Sequence, residues 1–145
     1  MIRLLALDEK RLKSLGFLQR FVVCLIPAAI VSGPFLADLL AITSSLIFLL
    51  LSISKREWKY YNSNISKVFF LWCLYLIFSS LISVEPIKSL ESSLFYWRFG
   101  IFALSIWYIF DNDKLVAKYL TISFSVVFIA LILDGYFQYM LGYNV

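Results

Sequence analysis

The sequence predicts an all-α, multi-pass transmembrane helical bundle with five spans. Hydrophobic residues make up 62% of the chain and charged residues 15%, whereas soluble domains run nearer half apolar and a quarter charged. The apolar residues gather into five runs, each close to the ~20 residues a helix needs to cross a hydrocarbon core of about 30 Å. Mean hydropathy is +0.88 and aromatic residues reach 19%. A soluble core at this length cannot hide that much apolar surface, but lipid solvates it. The whole of 1–145 reads as one transmembrane region, with no repeat, low-complexity tract or soluble domain.

The spans are expected at about 15–33, 35–53, 65–84, 94–110 and 115–133. Met1 to Gln19 is mixed, with Arg3, Lys10, Arg11 and Lys13. The apolar run Phe21–Ser32 extends back through Leu15–Leu18, with Arg20 snorkelling to the interface. Pro27 falls inside it, and membrane helices tolerate such a kink. A cleavable leader over Met1–Ser32 is disfavoured, because no small-x-small site precedes Gly33. Gly33-Pro34 marks a tight turn, and Phe35–Ile53 completes a helical hairpin with Asp38 near its start.

Lys55, Arg56, Lys59 and Lys67 fill the next connection, beside the interface aromatics Trp58, Tyr60 and Tyr61. Ile65–Val84 is the third span. Pro86 suits a first helical turn, and Ile87, Leu90, Leu94 and Ile101 hold helical spacing. A partly exposed turn therefore leads into the fourth span, which Asp111-Asn112-Asp113-Lys114 closes. The fifth span carries Lys118 near its start, and Asp134–Val145 reads as a short tail. All Lys and Arg except Lys88 and Arg98 fall on one side of this plan. The positive-inside rule then places the N-terminus in the cytoplasm and the C-terminus outside.

Composition excludes several functions. The net charge of +4 comes in short clusters between apolar runs, which encode orientation and do not form a phosphate-tracking groove, so no nucleic-acid partner is expected. The chain has no His, so no His-based acid–base pair or metal site can form within it. Cys24 and Cys73 lie in separate apolar runs and read as small buried hydrophobes. There is no nucleophile-elbow, zinc-protease, Walker or dinucleotide motif, and no carboxylate pair spaced for acid–base work. No catalytic residue, metal or cofactor is expected.

Three polar positions stand out. Arg98 lies roughly 6 Å below Leu94 at 1.5 Å per residue, where a charge is costly. With Lys88, the hydroxyls of Ser89, Ser92 and Ser93 and the helix N-terminus, it suits a phosphate or pyrophosphate. Snorkelling, or pairing with Glu91, is the plainer reading. Asp134 shares a helix face with Gln138, while Gly135 and Gly142 allow turns or close approach. A solvated helix end is the plainer account of Asp134. At a common depth, Arg98 and Asp134 are expected to pair across the fourth and fifth helices. Asp38 is either a third member of this outer cluster or a hairpin-end residue reaching water. A transporter pathway through the three charges is disfavoured, because none sits at the midplane.

The order of these features, with Tyr96-Trp97-Arg98-Phe99-Gly100-Ile101-Phe102-Ala103-Leu104 opening a span and Asp134-Gly135-Tyr136-Phe137-Gln138-Tyr139-Met140-Leu141-Gly142-Tyr143-Asn144 following the next, resembles the N-terminal part of the O-antigen ligase and polymerase family. Members are bacterial inner-membrane proteins of about a dozen spans. They move glycans from an undecaprenyl-pyrophosphate carrier to an acceptor, such as a lipid, at the periplasmic face. The resemblance implies that Arg98, with Lys88, touches the carrier pyrophosphate, and that Asp134, Gly135, Gln138 and Gly142 shape the outer site. The family's catalytic His and several Arg residues lie further along, so the chain is expected to be a truncated or split product, or a fragment, inactive alone. Its expected partners are membrane lipid, the lipid-linked glycan, and the missing C-terminal part or other helices. The competing expectation is a non-catalytic membrane protein that packs against partner helices.

Overall fold

The structure is a computed structural model that describes residues 9–142. Five helices account for nearly all of them: α1 (Glu9–Ser32), α2 (Pro34–Lys55), α3 (Asn64–Leu81), α4 (Pro86–Asn112) and α5 (Leu115–Leu141). All five are long and apolar enough to cross a membrane, and there is no strand among the described residues. Arg3, Tyr143 and Asn144 lie outside them.

Local chemistry explains the helix ends. α1 turns into α2 at one residue, Gly33, whose φ of 142° is open to glycine and strained for other residues. Pro34 and Pro86 occupy first-turn positions of α2 and α4, where a missing N–H costs nothing. Ser63 caps α3 by accepting from the Ser66 amide at 3.1 Å. Gly142 closes α5 in the left-handed conformation, its N–H donating to the Gln138 carbonyl at 3.0 Å.

Several helix boundaries differ from the sequence expectation, among them the start of α1, at Glu9 rather than near 15, and the end of α3, at Leu81 rather than 84. α4 begins at Pro86, so the partly exposed turn expected before the fourth span is its first part, and α5 runs to Leu141 rather than stopping at 133. The Asp134–Leu141 segment is thus helix and not a tail. The cause at α5 is that polar residues at a helix end look like a loop when apolar run length sets the boundary.

The packing is not sequential. α1, α2 and α4 form a central trio, joined by Gln19, Ser44 and Ser105, all buried. Gln19 Nε2 donates to Ser105 Oγ at 2.9 Å and to the Ser44 carbonyl at 3.4 Å, and the two serine hydroxyls lie 2.7 Å apart. Small hydroxyl residues let helices approach closely and supply bonds where hydrocarbon offers none. α3 lies on the outside of α4, with Phe70 stacked on Trp97 (centroids 5.1 Å) and Trp72 edge-on to Tyr96 (5.7 Å). Gly100 permits that approach, because a Cβ there would overlap the Phe69 ring. α5 lies on the outside of α1, where Ser123 Oγ donates to the Cys24 carbonyl at 2.6 Å. Val116 is the one buried residue described on α5.

α2 and α4 run parallel in constant register: Asp38 meets Arg98, Ser44 meets Ser105 and Phe48 meets Tyr108. Leu94 is therefore level with Pro34, and the first two turns of α4 overhang the α1–α2 hairpin by roughly 12 Å. All described Lys and Arg except Lys88 and Arg98 belong to the opposite, basic end. That end is closed by a 3₁₀ turn, Trp58–Tyr60, which inserts Tyr60 under the bundle against Phe48, Trp107 and Tyr108. Tyr60 O–H and Lys59 Nζ both donate to Asp111 Oδ2, at 2.9 and 2.6 Å. Burial pushes the Tyr60 phenol up, and the bond to Asp111 raises Lys59.

Candidate anion site at the far end

Arg98 is half-buried at the end opposite the basic cluster, and its acidic partner is Asp38 of α2. The Nη2 to Oδ2 distance is 3.1 Å. The guanidinium also lies over the rings of Phe95 and Phe99, at 5.5 and 4.8 Å from their centroids. Its Nε is buried with no hydrogen-bond partner, although such groups are normally satisfied. The expected Arg98–Asp134 pair is not formed. Asp134 instead accepts from Gln138 Nε2 at 2.8 Å within α5. The reason is the packing order: α5 joins α1, while α2 lies beside α4. Register from the Cys24–Ser123 bond places Asp134 roughly 10 Å above the Asp38 level, on the overhang of α5. The two acids and Arg98 thus share an end of the bundle but not a depth.

Lys88 and Arg98 do not converge either. They lie on one continuous helix, about 15 Å apart along its axis, and the free amides of its first turn, beginning at Ile87, are about 16 Å from Arg98. Lys88 Nζ pairs with Glu85 Oε2 at 2.7 Å, with both side chains well exposed, a contact of little stabilising worth. The nearby hydroxyls are engaged locally. Ser89 accepts from Ser83 at 2.9 Å, while Ser92 and Ser93 donate to the Lys88 and Leu90 carbonyls at 3.2 and 3.1 Å. Gly135 has open space around its α-carbon, so no close helix approach explains it.

The space beside Arg98 is small. A void of about 10 Å³ is lined by Asp38, Ala41, Ile42, Arg98, Phe99 and Phe102, room for one water at most. The Asp38 carboxylate already holds one guanidinium nitrogen, so an incoming anion competes with it. No group of acidic or thiol side chains among the described residues can hold a metal ion.

Sequence reasoning missed the Gln19–Ser44–Ser105 cluster and the Arg20–Asp113 ion pair, which ties α1 to the α4–α5 turn. Gln19 carried a signal, an amide among Leu15–Leu18 and Phe21; the two serines are ordinary in any membrane span and carried none. Asp113 also accepts from the Leu115 amide at 2.9 Å. That amide first, and Arg20 second, hold its carboxyl below the usual carboxylate range. Comparison with protein-family models, curated proteins and solved structures found no match to this chain.

Proposed function

We propose that this chain is the front, carrier-binding part of an O-antigen ligase-like glycan transferase of the bacterial inner membrane. In this reading the basic end faces the cytoplasm and the Arg98 end faces the periplasm. Arg98 takes a phosphate of the undecaprenyl-pyrophosphate carrier once Asp38 yields. The observation that carries the reading is the spare capacity of the guanidinium: one nitrogen meets Asp38, and the buried Nε meets nothing. An arginine that only anchored a helix would be expected to have that donor satisfied. The chain supplies no histidine, so its part is binding, with glycan transfer depending on the remainder of such an enzyme.

Binding of undecaprenyl pyrophosphate to the chain in nanodiscs tests this, with undecaprenol as the uncharged control. Asp38→Asn frees Arg98 and should tighten pyrophosphate binding. Arg98→Ala should weaken it tenfold or more, the worth of one charge-assisted hydrogen bond. Equal affinity for pyrophosphate and alcohol in all three proteins would discard the proposal. The small void beside Arg98 favours a second reading, a non-catalytic membrane protein in which Arg98–Asp38 fastens α4 to α2. In that case both variants lose stability and neither changes pyrophosphate binding.

A further inference from the structure

At the basic end, α1, α2 and α4 border a half-open cavity of about 460 Å³, within the size range of small-molecule sites. Lys13, Gly16 and Arg20 of α1, Lys55 of α2, and Tyr108 and Asn112 of α4 line it. We propose that it binds a net-negative phosphoester, the headgroup of an anionic phospholipid or a free phosphate compound. This site is separate from Arg98, at the other end of the same helices.

Charge supports an anion. Three cations line the cavity, against the two acids Glu9 and Asp113. Asp113 and Arg20 neutralise each other, and Arg20 Nε also donates to the Gly16 carbonyl at 3.1 Å, so Lys13 and Lys55 stand against Glu9 alone. Lys13 makes no ion pair among the described residues. Lys55 Nζ spends one N–H on the Tyr108 hydroxyl at 2.9 Å and lies 5.6 Å from that ring's centroid. Its two other N–H groups remain for a ligand. Lys55 stands in the last turn of α2, where its charge offsets the negative end of the helix.

Shape supports a ligand. Gly16 faces the cavity without a side chain, and a Cβ built there meets nothing within 4 Å. Helix interiors disfavour glycine, and no neighbouring element here requires one. Its absence of bulk keeps the cavity open. Basic pockets between membrane helices are a recognised means of holding phosphate headgroups.

The test uses the purified chain in nonionic detergent, titrated with short-chain phosphatidylglycerol, phosphatidylcholine and glycerol 3-phosphate. Binding is read by native mass spectrometry and by the shift in Tm. Phosphatidylglycerol is expected to bind saturably and phosphatidylcholine at least tenfold more weakly. Gly16→Leu, whose Cβ meets nothing and whose side chain takes up part of the cavity, should weaken binding at least tenfold. Lys13→Gln and Lys55→Gln should each weaken it about fivefold, the worth of one cation near an anionic surface. Glycerol 3-phosphate binding with the same variant dependence also supports the site and makes a free phosphoester its ligand. If Gly16→Leu fails to fold, the Lys13→Gln/Lys55→Gln pair decides. The proposal is overturned if no anion binds, or if binding is unchanged in the variants.

Discussion

Replacing Gln19 and Ser105, singly and together, gives the sharpest view of what joins the central helices. Gln19→Leu removes one bond of 2.9 Å and one of 3.4 Å, the second near the limit of a useful interaction. Ser44 and Ser105 still bond to one another, through the hydroxyl pair and through Ser105 Oγ donating to the Ser44 carbonyl at 3.1 Å. No buried group is stranded. Interhelical hydrogen bonds in membranes average about 0.6 kcal/mol, with a ceiling near 1.7, so the expected loss is about 1 kcal/mol. Ser105→Ala is different. It deletes the hub and leaves the buried Gln19 amide with only the long contact to the Ser44 carbonyl, an unsatisfied donor that costs about 2 kcal/mol. The double variant no longer strands that amide, so it should cost about 1 kcal/mol less than the sum of the singles. Unfolding in mixed micelles, followed by tryptophan fluorescence and circular dichroism, measures all three. A Gln19→Leu loss larger than that of Ser105→Ala, or strict additivity, would refute this account of the bundle.

Gly100→Leu should cost about 1–3 kcal/mol by forcing the Phe69 ring from its place on α4, and Phe69→Ala in the same chain should restore part of the loss in the same assay. Asp113 is held below its usual range, so its contribution is present above the unfolded value of about 3.9 and fades as pH falls through the lower folded value. The Tm gap between wild type and Asp113→Asn should accordingly narrow in strong acid. Lys59 is raised, so its contribution is full below about pH 10.4 and fades only as pH climbs through the higher folded value. Thermal scans of Lys59→Met against wild type should converge only in strong alkali.

Much of the architecture was legible because lipid demands long apolar helices, and run length is visible in a sequence. Leu115 as the start of α5, Gly33 as a one-residue turn and Pro86 in a first turn all followed from that and from local backbone chemistry. The polar end of α5 was not legible, since Asp134–Gln138 can be loop or helix by composition. Which helix lies beside which was not legible either. Arg98 was assigned to Asp134 on the assumption that α4 and α5 are neighbours, but α2 stands there instead and offers Asp38. Adjacency depends on side-chain fit across the bundle, and residues distant in the chain decide it together.

Labelling single cysteines with a membrane-impermeant maleimide in intact cells tests the five-span, N-terminus-inside plan most directly. Val84→Cys, at a fully exposed position in the turn before α4, and Lys114→Cys, in the turn after it, are the two probes. Cys24 and Cys73 lie within α1 and α3 and should stay silent. The plan predicts labelling at 84 in intact cells and at 114 only after the membrane is opened. The reverse pattern, or labelling of both positions from outside, would contradict it.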